Sequence, residues 1–462
     1  MTKMTPDLRS VPSVTRMLEC EEVVTLLKRY PRGTVVRAIR TVISGVREDV
    51  VNGAMAPTAE ELGSHVPAAL AAELRPGLCR VINATGIVAH TALGRSVLPA
   101  DAVAALAAEA RGYCLLQIDR ETQGRTRRDQ FCRDLICELT GAEDATVVNN
   151  NSAATMLVLN TLAEGKEVVI SRGQMVEIGG AFRIPDVLRR SGAILHEIGC
   201  TNKTHVHDYE EAINDNTGLL MKVHTSNYRI QGFVKEVPIG DLVPVGQRYG
   251  IPVMDDLGAG ALLDLRYLGF PEEPLVKDSL ASGADVISIS ADKLIGGPQG
   301  GIILGKKDTI TKIRKNPLAR VLRVGKLTLI ALEATLKYFL DQKRVFAEHP
   351  TTRMLTMPLA ELERRARVIA EHIGEIPSAT IEVVEESSEV GSGAYPAHQI
   401  ATFAVAVTHE SIRAEEIARR LRLLPLAVFA RVKKDRLLLD PRTVQDGEEP
   451  EAAAALREAL AQ

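Results

Sequence analysis

The chain reads as an α/β protein built on a mostly parallel sheet, with a helical segment before it and a smaller α+β segment after it. Three observations predict this. Between about residue 80 and 305, short β-branched runs alternate with helical stretches, the pattern of a parallel sheet covered on both faces. Residues 1 to about 75 show helical periodicity, and residues 380 to 462 mix strand-like runs with helices. At 462 residues, 45% hydrophobic and 25% charged, the chain is long enough for several domains and balanced like a soluble globular protein. The expected domains are 1–75, 76–340 and 341–462.

In the N-terminal segment, Val36, Ile39 and Ile43 fall near one helical face and Arg37, Arg40 and Arg47 near another. Residues 1–75 hold ten Lys and Arg against nine Asp and Glu, so the arginine stripe is either a solvated face or a track for phosphates. The candidate strands then follow in order: Val81-Ile-Asn-Ala84, Ala145-Thr-Val-Val-Asn149, Glu167-Val-Val-Ile-Ser171, Gly218 to His224, Ile251-Pro-Val-Met-Asp255, Asp285 to Ser290 and Gly301-Ile-Ile-Leu-Gly305. Helix dominates from about 325 to 374, broken near Pro350 and Pro358. Thr380 to Val384, Gln399 to Val407 and Arg436 to Asp440 read as the strands of the last segment.

Composition narrows the function. A net charge of −3 gives no global field for nucleic acid, and 3% aromatics with no Trp argues against base-stacking platforms. Six scattered cysteines lack metal-ligand spacing, so free thiols and no metal are expected. With neither a leader-like segment nor an apolar run of membrane-spanning length, the expectation is a cytoplasmic protein with no membrane partner.

Ligands of a parallel sheet bind at the carboxyl ends of its strands, and here those ends are polar. The run Val286-Ile-Ser-Ile-Ser290 is followed by Lys293 and then glycines. A lysine buried there has a depressed pKa and serves as an amine nucleophile, and Ser290 is placed to bind a phosphate of the same ligand. That combination suits pyridoxal 5'-phosphate, an aldehyde that lysine holds as a Schiff base. Three further features support it. Val148-Asn-Asn-Asn-Ser-Ala-Ala-Thr155 ends a strand and opens a helix, which offers the N–H groups of Asn151, Ser152 and Ala153 to an anion. In Met254-Asp-Asp-Leu-Gly258, one of two aspartates is the carboxylate for the pyridine nitrogen. Neighbouring strand residues face opposite ways, and Asp256 is chosen because it adjoins the glycine turn. Asn227, after another strand, is placed to donate to the ring hydroxyl. Arg95, the group Arg125, Arg127 and Arg128, and the pair Arg320 and Arg323, three apart on one helical face, suit an oxyanion substrate.

Together these residues closely resemble the bacterial selenocysteine synthase family, the L-seryl-tRNA(Sec) selenium transferases. The resemblance runs from Leu8-Arg-Ser-Val-Pro-Ser-Val14 through Asn83 to Arg95, Val148 to Ala154, Ser171 to Pro185, Val223 to Tyr228, Asp256-Leu-Gly258 and Asp292 to Gln299, to Val390-Gly-Ser-Gly393. It implies a fold-type I pyridoxal phosphate transferase of selenocysteine biosynthesis, with Lys293 as its Schiff-base lysine. It further implies Arg95, Arg320 and Arg323 around the selenium-donor anion (selenophosphate), an N-terminal domain that binds seryl-tRNA(Sec), and a homo-oligomer of dimers, a decamer in known members. The chain departs from the family at Ala92, Ala259, Ala291, Gln117-Ile118-Asp119 and Thr126. Those departures keep an alternative open, a pyridoxal phosphate lyase acting on a small amino acid or a phosphorylated amino sugar. A non-enzymatic tRNA-binding scaffold is the third reading, opposed by intact Lys293, Asp256 and Ser290.

Overall fold

The computed structural model of the chain describes residues 10–51, 54–180, 182–396 and 398–461. Leu8 and Arg9 of the N-terminal motif lie outside the described residues. The chain forms two compact units that meet between Arg80 and Val81.

The first unit is helical. Its longest helix, Arg32–Val51, buries Val35, Ala38, Ile39, Ile43 and Val50 at helical spacing. These pack with Met17, Val23, Leu62, Val66 and Leu70 in a small aliphatic core. Thr58 starts the helix Ala59–Gly63 through a capping box with Glu61. Arg37, Arg40 and Arg47 all lie on the exposed face, and Arg37 pairs with Glu73.

The second unit is built on a seven-stranded sheet: β1 Asp144–Val148, β2 Glu167–Ser171, β3 Ile194–Ile198, β4 Thr217–Val223, β5 Val253–Gly258, β6 Val286–Ser290 and β7 Gly301–Gly305. Their spatial order is β1-β7-β6-β5-β4-β2-β3. Only β7 runs against its neighbours, so the sheet is mostly parallel. Each face carries its own core because alternate strand residues point to opposite sides. Met221, Met254, Val286 and Ile303 pack with Leu157 and Val158 of helix α1, Asn151–Ala163. Leu220, Val253, Ile287 and Ile302 pack on the other side with Leu242, Leu332 and Leu336. The same alternation separates Asp255 from Asp256.

A second sheet joins Ala379–Glu389, Gln399–His409, Arg436–Leu439 and Val428–Lys433 in antiparallel fashion. The strand expected at 81–84 is present as Ile82–Ala84, but it pairs in parallel with Val428–Lys433 in this second sheet. Its alternating burial suits either sheet, and only a partner nearly 350 residues away selects one. Ile194–Ile198 and Val428–Lys433 were not expected as strands. Each mixes charged residues into a short apolar run, and pairing rather than local pattern makes them strands.

Candidate active site

Every residue of β6 is buried, and the strand delivers Ser290 to its carboxyl end. The chain then turns back on itself: Gly296 N–H donates to the Lys293 carbonyl at 3.0 Å and Gly297 N–H to that of Ala291 at 2.8 Å. Gly296 has φ of +65°, and a Cβ there would lie 2.5 Å from Cε1 of His349, so only glycine fits. This turn holds the Lys293 side chain 8% exposed, with its amine pushed below the ordinary lysine value, by burial first and by the Arg95 charge second. Arg95 reaches it from far along the chain. Its Nη1 donates to Asp292 Oδ2 at 2.7 Å, and Ser96 Oγ donates to the Asp292 carbonyl at 2.9 Å.

One cavity of about 610 Å³ at these strand ends is lined by Lys293, Ser290, Asp256, Asn151, Ser152, Asn227 and Arg95. Asp256 is 3% exposed. Its carboxylate accepts from Asn151 Nδ2 at 2.8 Å and from Thr155 Oγ1 at 2.9 Å. Burial raises its pKa, and the hydrogen bonds from Asn151 and Thr155 only partly offset that. Among the described residues no lysine or arginine forms an ion pair with it. A carboxylate kept this dry is relieved by a cationic ring nitrogen, which is what a protonated pyridine presents. At the start of α1 the N–H groups of Asn151 and Ser152 precede the first helical hydrogen bond and face an anion favourably. The residues present therefore fit pyridoxal phosphate.

Some expected residues are placed differently. Ala153 does not line the cavity, and its N–H donates to Oδ1 of Asn150, the helix N-cap, at 2.9 Å. Asn151 adds a side-chain role, holding Asp256. Asn227 lines the cavity, but its Nδ2 donates to the Glu177 carbonyl at 2.7 Å, in the short hairpin Glu177–Arg183. Arg320 and Arg323 are exposed and open onto a different cavity of about 450 Å³, with Gln117, Arg127 and Arg128. Burial, then the charges of Arg323 and Arg320, push the Arg128 guanidinium below its ordinary value, so this is an electropositive pocket of its own. Thr155 and the Arg95–Asp292 pair were not anticipated as parts of the site. Thr155 does stand one helical turn after Asn151, and Asp292 adjoins Lys293.

A family model described as L-seryl-tRNA selenium transferase matches residues 81–445, and one described as selenocysteine synthase N terminal matches residues 8–47. The chain belongs to the L-seryl-tRNA(Sec) selenium transferase family. It is 44% identical over 460 residues to the L-seryl-tRNA(Sec) selenium transferase of Geobacter sulfurreducens, covering 97% of this chain and 98% of that protein. It is also 44% identical over 438 residues to that of Aquifex aeolicus, covering 95% of each. Among solved structures, a D-glucosaminate-6-phosphate ammonia-lyase superposes with a TM-score of 0.58 at 24% identity, covering 83% of this chain and 96% of that one. This likeness supports the fold-type I architecture and carries no argument about substrate. Among the described residues no helix is long and apolar enough to cross a membrane, and no cluster of side chains could hold a metal ion.

Proposed function

We propose that this protein converts L-seryl-tRNA(Sec) to L-selenocysteinyl-tRNA(Sec), with pyridoxal phosphate as cofactor and selenophosphate as selenium donor. What carries the reading is a buried amine and a buried carboxylate, Lys293 and Asp256, sharing one cavity in a chain 44% identical over nearly its whole length to proteins named for that reaction. When bound, the cofactor supplies the electron sink that lets the serine Cα proton and then the β-hydroxyl leave. Lys293 is its covalent anchor and, once released, takes the Cα proton at Nζ; an amine with a depressed pKa is suited to accept it. Asp256 holds the ring nitrogen protonated. Ser290 and the N–H groups of Asn151 and Ser152 would hold the cofactor's phosphate, and Asn227, which lines the same cavity, would face its ring. Arg95, Arg320 and Arg323 bind the donor anion.

Arg320 and Arg323 line a cavity that Lys293 does not share, so on this reading a second copy supplies them to the site. The exposed apolar side chains Tyr113, Leu115, Ile118, Phe131 and Val321 in the neighbouring segments suit burial in such a homo-oligomer. The N-terminal helical unit, matched by the family's N-terminal model, is the part that engages the tRNA. A small-molecule lyase gives no use to that unit, which disfavours the alternative.

The test is direct. Purified protein is incubated with seryl-tRNA(Sec) and selenophosphate, and the released amino acid is identified. Selenocysteine is expected, borohydride should attach a pyridoxyl group to Lys293, and deleting residues 1–75 should abolish the tRNA-dependent reaction. Unchanged serine from the intact, cofactor-loaded protein would refute the reading.

A further inference from the structure

On the opposite face of the sheet, at the same strand ends, lies a second polar cavity of about 410 Å³. The register of β4 and β5 sets Lys222 beside Asp255 and Val223 beside Asp256, so a lysine and an aspartate line this far side. Asp255 is 1% exposed; Oδ2 accepts from Ser279 Oγ at 2.6 Å, whereas Oδ1 has no partner. Glu273, 6% exposed, accepts from the Tyr395 N–H at 3.3 Å with Oε2. Its Oε1 faces Nε2 of His224 at 3.4 Å, and neither atom completes a hydrogen bond. Asp255 Oδ1, Glu273 Oε1 and His224 Nε2 are thus three buried polar atoms without protein partners beside one cavity. Among the described residues His224 alone lines both this cavity and that of Lys293.

We propose that His224 is the acid that protonates the hydroxyl leaving the seryl β-carbon, with Glu273 as its positioning carboxylate and the far-side cavity as a path behind them. The assignment rests on the functional reading above, which requires such an acid. As the Cβ–O bond breaks, its electron pair stays on oxygen and the His224 proton completes a water molecule. The proton removed from Cα sits on Lys293 Nζ, and its return to His224 resets both groups without an outside reactant. His224 lines the same cavity as Lys293, which gives that return a shared space, and Glu273 faces the ring from the far side. Asp255 and Lys222 line the exit side, and Asp256 and Arg95 the cofactor side.

The test compares leaving groups. His224→Gln should keep cofactor loading and the borohydride label on Lys293, with KM for seryl-tRNA(Sec) little changed, while kcat falls by roughly 10²-fold or more, the scale of general acid catalysis. Chloride leaves without a proton, so β-chloroalanyl-tRNA(Sec) should react at the wild-type rate. Glu273→Gln should show the same selectivity, and in the substrate-free protein it should shift the His224 ring ¹⁵N resonances. Full activity of His224→Gln on the seryl substrate, or an equal loss with both leaving groups, overturns the proposal. Unmoved resonances in Glu273→Gln overturn the pairing. If the wild type ignores seryl-tRNA(Sec), the functional reading falls; free L-serine against β-chloro-L-alanine, with the ring resonances, then decides the acid.

Discussion

Replacing His349 with glutamine should flatten the acid side of this protein's stability profile. His349 is fully buried between Tyr338 and Phe339, and it caps the helix Pro350–Thr356. Its Nδ1 lies 2.9 Å from Thr352 Oγ1 and accepts the Thr352 N–H at 3.3 Å. Protonation would turn that acceptor into a donor and break the cap. Burial accordingly pulls the imidazole from its ordinary 6.5 down to about 4. Between those values the unfolded chain binds more protons than the folded one, so stability rises with pH there. It is fully present above 6.5 and lost as pH falls through the folded value. At 1.36 kcal/mol per unit the change is about 3 kcal/mol. The assay is urea unfolding from pH 7 to pH 4, with histidine NMR following the ring. His349→Gln, which can still accept at the cap, should lose most of that slope. A wild-type ring that titrates near 6.5, or identical slopes in the two proteins, would refute the reasoning. The loss would reach the active site, because His349 packs against Gly296 in the turn that presents Lys293.

Gly296→Ala should therefore reduce cofactor loading in spectroscopic titration, since both its positive φ and the His349 ring oppose a Cβ. Lys293→Met should abolish turnover yet stabilise the cofactor-free protein toward urea. That gain is largest where the amine is charged, and it shrinks as pH rises from the depressed folded value toward the ordinary 10.5. Asp256→Asn should retain the Asn151 and Thr155 contacts while turnover falls by roughly 10²-fold, the scale of one preorganised electrostatic partner. Arg320→Ala combined with Arg323→Ala should raise KM for selenophosphate by roughly tenfold or more, as expected for lost charge-assisted hydrogen bonds, and leave the Lys293 label intact.

Local pattern carries the parts of this protein that depend on near neighbours. Short apolar, β-branched runs mark the buried strands, the polar residues after them mark the ligand-binding end, and side-chain alternation separates Asp255 from Asp256. Lys293 and its glycines are legible for the same reason: a strand, a turn and a side chain all lie within about ten residues. Spatial neighbours far apart in sequence are not legible. Arg95 meets Asp292 across 197 residues, Asn151 and Thr155 meet Asp256 across more than 100, and Ile82–Ala84 joins a sheet built near the other end of the chain. Nor does composition tell that Asn150 takes the Ala153 N–H, or that Arg320 and Arg323 open onto another cavity. Residues alone thus determined most of the strands that frame the site, which way their side chains alternate and which lysine the strand end presents, while Ile194–Ile198 and Val428–Lys433 became strands only through pairing. Tertiary structure decided what surrounds that lysine, because strand order brings distant strand ends together and periodicity along one strand holds no information about its neighbours.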